Sequence, residues 1–307
     1  MCCVSRRCWG AGSFTGYEST GALRAPAARF GRCLLRQHAV TVCPSANRVV
    51  WIWPQAVGER AVDQPQGAPP YAGKHGGEIS NYDGIPPNGD VDDKTARQLI
   101  HGYYASMSFT DAQLGRVLDE LDCLDLSKNT IIVLWGDHGW HLGDHGMWTK
   151  HTNYEQANHI PLLMVAPGVA KPGTTRQMTE TVDIFPTLTE LAGLPKPAVP
   201  QPIDGLSLVP VLKDPSLSLR DHVYHCFPRG EDRLGRAIRT ERYRMVEWKK
   251  PGAPPETADI ELYDYQAAMP ESENLAGKLP DVVKELRAIL ARHPEAQPKP
   301  LAMRKTP

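Results

Sequence analysis

The chain has 307 residues, of which hydrophobic types make up 41% and charged types 22%, with a formal net charge of -1. That length suits one large domain or two smaller ones with real cores, and the near-neutral balance argues against nucleic acid or an anionic membrane as partner. No apolar run approaches the roughly 18–20 residues of a membrane span, and CLLRQHAVTVC is too short and too interrupted for the apolar region of a signal peptide, so the visible sequence assigns no compartment.

Residues 1–67 read as an irregular N-terminal segment. They are rich in Arg, Cys, Trp and Ala and hold no sustained period of 3.6 or 2. VTVCPSANRVVWIW has the composition of a strand pair, but its flanks supply no caps or turns that agree with one. Cys2, Cys3, Cys8, Cys33 and Cys43 crowd this segment without the paired spacing of a zinc site or a disulfide framework.

From Ala68 the character of the sequence changes. APPYAGKHGGEISNYDGIPPNGDV is a Gly- and Pro-punctuated loop. Asp92 or Asp93 then caps a helix to about Leu121, with Leu99, Tyr103, Met107, Leu114, Val117, Leu118 and Leu121 on one face as a core stripe. TIIVLW and PLLMVAP are short uninterrupted apolar runs, expected as strands buried on both faces of a parallel sheet. A short helix follows from Asp183, its expected N-cap, to Gly193. Helix, buried strand, loop, buried strand and helix are α/β grammar, over residues 68–214.

Residues 215–307 read differently. HVYHCF, GRAIRT, YRMVEWK and IELYDY predict a small antiparallel sheet, and Asp281–His293 predicts a closing helix with Val282, Val283, Leu286, Ile289 and Leu290 inward.

The chemistry concentrates at residues 136–153, GDHGWHLGDHGMWTKHTN, which leave the C-terminal end of TIIVLW. Ligand-binding loops gather at such strand ends in open α/β sheets. Asp137, His138, His141, Asp144, His145, Lys150 and His151 fall there among four glycines that let the backbone turn and approach a ligand. A carboxylate beside an imidazole suits a divalent cation, and a lysine returning to the same pocket meets an anion as a point charge. The second GDHG, at residues 143–146, follows no strand, so Asp144 and His145 read as loop-stabilising.

This strand with GDHGWxLGxHGxWxK resembles the sulfatase family of the alkaline-phosphatase superfamily, in its iduronate-2-sulfatase-like branch. YYASMSFTDAQLGRVLDELD, HIPLLMVAPG, VDIFPTLTELAG, DGLSLVPVL, RAIRTERYRMVEW and ELYDY extend the resemblance from about residue 68 to about residue 290. It implies the C-terminal part of an α/β domain with a mixed sheet and flanking helices, followed by a small antiparallel C-terminal subdomain. It further implies a sulfuric ester hydrolase acting on a sulfated small molecule or glycan. Asp137 and His138 then match metal ligands, the metal being calcium in most relatives. Lys150 matches the lysine that contacts the sulfate ester. Trp140 is shared with the branch and reads as packing.

The nucleophile of that family is a formylglycine made from Cys or Ser in C/S-x-P-x-R. Cys43-Pro44-Ser45-Ala46-Asn47-Arg48 lacks the intervening residue and reads as a coincidence. The paired aspartates of the family's first strand are also missing, and Asp92-Asp93 is explained by capping. Two rivals stay open: a phosphoester or phosphonate hydrolase of the same superfamily, and a non-catalytic remnant that binds a glycan.

Overall fold

The computed structural model describes residues 40–42, 64–73, 78–230, 232–267 and 271–295, all within one unit, Gln37–Pro307. Strand β1 (Val40–Val42) is followed by helix α1 (Asp93–Cys123), strands β2 (Ile132–Trp135), β3 (His141–Leu142) and β4 (Trp148–Thr149), and helix α2 (Glu155–Asn158). Next come β5 (Leu162–Val165), β6 (Gly173–Thr175), α3 (Ile184–Leu191) and α4 (Val209–Lys213). Strands β7 (His222–Arg229), β8 (Arg233–Thr240), β9 (Tyr243–Lys249) and β10 (Asp259–Asp264) precede helix α5 (Pro280–Leu290). The Cys43–Arg48 string lies outside the described residues.

Between the two caps left open by the sequence, Asp92 is the one used: its Oδ1 accepts the Thr95 amide at 2.7 Å. The first half of α1 packs Ala96, Leu99, Ile100 and Tyr103 onto Ile79, Leu142 and Trp148. Further along, the expected stripe is only partly covered. Leu118 is buried, whereas Val117 is 65% exposed. Helical spacing sets which residues share a face but not how much of that face a neighbour covers.

The two apolar runs do pair, though not in the expected sense. β2 and β5 are antiparallel, with Ile132 opposite Val165 and Trp135 opposite Leu162. The intervening segment doubles back past α2 instead of crossing over, so the second strand returns against the first. Nor is β2 buried on both sides. Val133, Leu162 and Met164 face Ile184, Leu188, Leu208 and Leu212, while Trp135 remains 47% exposed. β1 pairs antiparallel with β6.

Asp183 has a different role from the expected N-cap. The helical turn starts earlier, after Glu180, and the Asp183 carboxylate reaches back to accept the Glu180 amide at 2.8 Å. Its other oxygen accepts the Leu206 amide and a bond from Arg220. A fully buried carboxylate thus finds a partner for each oxygen, as burial demands.

The C-terminal sheet is a four-stranded antiparallel meander in the order β10-β9-β8-β7. Its core joins Ile238, Met245 and Leu262 to Leu286 and Leu290 of α5, with Val282, Val283 and Ile289 packed alongside. The helix ends at Leu290, three residues before the expected His293.

Charges tie this sheet to the loop after β4. Glu155, at the start of α2, takes hydrogen bonds from Arg239 Nε at 3.1 Å and from Arg244 Nη2. Arg244 also donates to the Asn153 carbonyl at 2.9 Å, and the Glu155 amide donates to Glu271 Oε1 at 3.0 Å. Burial raises the Glu155 carboxyl, but the charges of Arg244 and Arg239 outweigh it and hold the group well below the usual carboxylate range.

Two predictions follow from this packing. Because the folded value is depressed, the stabilisation from Glu155 is complete above the ordinary carboxylate range and is lost as pH falls through the depressed value. Glu155→Gln takes from buried Arg239 its carboxylate partner and from Arg244 one of its two, and costs about 3–5 kcal/mol. Urea unfolding from pH 7 downward should give a lower midpoint for the variant and a shallower acid loss than for wild type; parallel pH curves would refute it. Gly139 is the second case: a Cβ there would stand 1.9 Å from the Gln156 carbonyl oxygen. Gly139→Ala should cost about 1–3 kcal/mol through overpacking, read as a lower Tm, and an unchanged Tm would contradict the close approach.

Candidate functional site

The end of β2 delivers Gly136, Asp137 and His138 into solvent-reachable space. The Asp137 side chain is 87% exposed and that of His138 is 34% exposed. Asp137 Oδ1 accepts the His138 amide at 3.1 Å, which turns the carboxylate back over its own loop. His138 Nδ1 lies 2.9 Å from the Gly139 carbonyl, an acceptor only, so this nitrogen carries the proton. Nε2 stands 3.6 Å from Asp137 Oδ2.

The loop then closes on itself through buried polar groups. His141 Nδ1 donates to Asp144 Oδ2, its Nε2 meets Thr152 Oγ1 at 2.7 Å, and Asp144 Oδ1 accepts the Leu142 amide at 3.0 Å. Burial pushes the Asp144 carboxyl up, but the His141 hydrogen bond prevails and holds it below its ordinary value. His145 Nε2 meets Glu271 Oε2 at 3.3 Å, both side chains buried. Asp144 and His145 are therefore loop-stabilising, as the sequence led us to expect. His145 and Thr149 both take left-handed backbone, at φ 54° and 77°. For a β-branched residue that conformation costs on the order of 1–3 kcal/mol and persists only where the surroundings fix it. Thr149 is 3% exposed and immediately precedes Lys150.

Lys150 emerges beside the strand end. Its Nζ donates to Glu78 Oε1 at 2.9 Å and lies 5.3 Å from the centre of the Trp140 ring. His151 Nε2 donates to the other oxygen of the same carboxylate at 3.0 Å. The Lys150 hydrogen bond holds the Glu78 carboxyl below its usual range. Two cationic or donor groups thus grip one anion between them. Trp140 packs against Tyr103 with ring centres 6.4 Å apart.

Asp137, His138, Lys150 and His151 line one cavity of about 670 Å³, part of whose wall comes from β7 and β8. Sequence reasoning missed that wall, and it missed Glu78, which sits in a turn-rich loop with no motif around it. The period-2 alternation of β7 does place Val223, His225 and Phe227 on one face, and all three reach the cavity. Phe227 lies 5.6 Å, centre to centre, from the His151 ring.

No group of three or more His, Cys, Asp or Glu side chains able to hold a metal occurs among the described residues. Asp137 and His138 offer two ligand positions. Donors each about 2.4 Å from a shared cation, near right angles to one another, stand about 3.4 Å apart, close to the 3.6 Å between Asp137 Oδ2 and His138 Nε2. The second imidazole nitrogen bonded to a backbone carbonyl is also the usual arrangement behind a metal-ligating histidine. The pair fits part of a coordination shell.

A family model described as Sulfatase matches residues 43–194, beginning upstream of the expected boundary at residue 68, and one described as N-sulphoglucosamine sulphohydrolase, C-terminal, matches residues 143–295. Iduronate 2-sulfatase of Mus musculus is 37% identical over 136 residues, which are 36% of this chain and 25% of that protein. Arylsulfatase K of Gallus gallus is 31% identical over 214 residues, 66% of this chain and 38% of that protein. A solved structure in complex with its substrate D-glucosamine-2-N,6-O-disulfate aligns at TM-score 0.55 and 26% identity, over 64% of this chain and 40% of that one. The phosphonate monoester hydrolase of Silicibacter pomeroyi aligns at TM-score 0.60 and 25% identity, over 75% of this chain and 49% of that one. The chain spans 25–38% of the length of these two curated relatives. With both family models, the relatives and the fold in agreement, the chain belongs to the sulfatase family.

Proposed function

We propose that this chain supplies the C-terminal part of a centre that hydrolyses sulfate esters, with Asp137 and His138 as ligands of a divalent cation and Lys150 as the contact to the sulfate group. The observation that carries this reading is that all three side chains line one open cavity. The cation is calcium by analogy with the family, and its chemistry when bound is to offset charge on the sulfate oxygens. Asp137 gives it the hard oxygen it prefers; His138 contributes a nitrogen whose orientation the Gly139 carbonyl fixes. Lys150 holds a positive charge where negative charge grows on the ester. The bond between Lys150 and Glu78 supports that role, since a carboxylate oxygen presents the same kind of acceptor as a sulfate oxygen.

The substrate class is a sulfated carbohydrate, in the manner of the iduronate-2-sulfatase-like branch. Relatives named iduronate 2-sulfatase and N-acetylglucosamine-6-O-sulfatase, and the solved complex with a disulfated glucosamine, support this choice. Choline-sulfatase of Rhizobium meliloti is 35% identical over 125 residues, so the aligned segment itself does not select sugars. The phosphonate monoester hydrolase likeness favours a second reading, hydrolysis of phosphonate esters at the same centre.

Chromogenic sulfate and phosphonate esters, offered with and without calcium, separate the readings. Because the formylglycine motif and the paired aspartates of the family are not found in this sequence, we expect weak or no sulfate release by this chain alone, with any release enhanced by calcium and abolished in Lys150→Ala. Turnover of the phosphonate ester alone supports the second reading. No turnover of either ester by the wild-type chain favours the glycan-binding remnant.

A further inference from the structure

Lys150 is anchored by a carboxylate that came from far away in the chain. Its Nζ donates to Glu78 Oε1 at 2.9 Å, and His151 Nε2 meets the other oxygen of that carboxylate at 3.0 Å. Glu78 does not line the cavity itself but bonds the two side chains that do. An ammonium group has three N–H donors, and this bond uses one, so an anion can meet Lys150 without displacing Glu78. The carboxylate then stays in place and acts on the ligand through its charge.

The charge matters because of what it offsets. Glu155, Glu180 and Glu241, which line the cavity, are each paired with an arginine. Glu78 instead cancels the lysine that meets the anion, and Asp137 offsets half the charge of a divalent cation. His151 needs no charge of its own to donate. The centre thus keeps a surplus of a single positive charge. A sulfate monoester carries one negative charge and balances it, and so does a phosphonate monoester. A phosphate monoester loses its second proton at about pH 6 and is doubly charged above that, so it exceeds the surplus.

We propose that Glu78, through its bonds to Lys150 and His151, is a specificity-determining residue that makes the centre prefer singly charged esters to doubly charged phosphate monoesters. The assignment rests on the proposed role of Lys150 as the anion contact and deepens it. It holds for both readings of the centre, since sulfate and phosphonate monoesters carry the same charge. Without Glu78 the positive surplus grows, and the doubly charged ligand gains more from it than the singly charged one. Each ligand charge a few ångströms from the lost carboxylate gains roughly tenfold in affinity, for an effective permittivity between that of a protein surface and that of water.

Calorimetric titration of the full chain with calcium present, at about pH 8 where the phosphate ester is doubly charged, tests this. The ligands are phenyl sulfate, phenyl phosphate and phenyl methylphosphonate, which share a ring and differ in charge or in central atom. Wild type should bind the two singly charged esters more tightly than phenyl phosphate. In Glu78→Gln and in Glu78→Ala, phenyl phosphate should gain about tenfold over phenyl sulfate, with phenyl methylphosphonate following the sulfate. Glu78→Asp, which keeps the charge, should keep the wild-type order. A carboxylate that only positions Lys150 predicts otherwise, because its loss weakens all three ligands alike. That result, a wild-type preference for phenyl phosphate, or an unchanged preference in both the Gln and Ala variants overturns the role of Glu78 and leaves the anion site standing. Failure of the wild-type chain to bind any of the three overturns the sulfate-ester reading and this assignment with it.

Discussion

The cavity exists because Glu155 is held between Arg239 and Arg244. Glu155 opens α2, beyond β4, and both arginines belong to the C-terminal sheet, so this buried contact ties the two layers that line the cavity. Neither guanidinium can be left alone at that depth, and neither can the carboxylate, so the two layers are coupled through the charges as well as through apolar contact. Glu271 extends the coupling by accepting the Glu155 amide and meeting His145. The strained Thr149 backbone is fixed within this frame, and with it the position from which Lys150 departs.

The cavity carries charge of both signs as a result. At the strand end stand a carboxylate, two imidazoles and an ammonium group, able between them to take a cation and an anion. The C-terminal sheet adds Val223, His225 and Phe227 together with the paired charges of Arg239 and Arg244.

Much of this was legible in the sequence, for identifiable reasons. A cap at Asp92 or Asp93, the four strands of the meander and the inward face of α5 all follow from local signals that the final packing reinforces. The DHG loop was legible because so many ligand-capable residues and glycines crowd one strand end. Strand direction was not, since an apolar run such as TIIVLW carries no record of whether its neighbour runs with it or against it. Glu78 and the Glu155 cluster were invisible because their partners lie far away in the chain: Glu78 meets Lys150 across 72 residues, and Glu155 meets Arg244 across 89. Asp183 was misplaced by one helical turn because a carboxylate that caps from inside the first turn looks, in sequence, like one that caps from before it.

Calcium binding is the most direct measure of the central claim, that Asp137 and His138 leave β2 as a cation site next to the anion contact of Lys150. Two ligands alone hold calcium weakly, but neighbouring opposite charges must strengthen one another, and by the same factor in both directions. Calorimetric titration of calcium in the absence and presence of sulfate should give an affinity that rises with sulfate and that Asp137→Asn abolishes. Calcium binding that ignores sulfate, or that survives the loss of the Asp137 charge, would contradict the account.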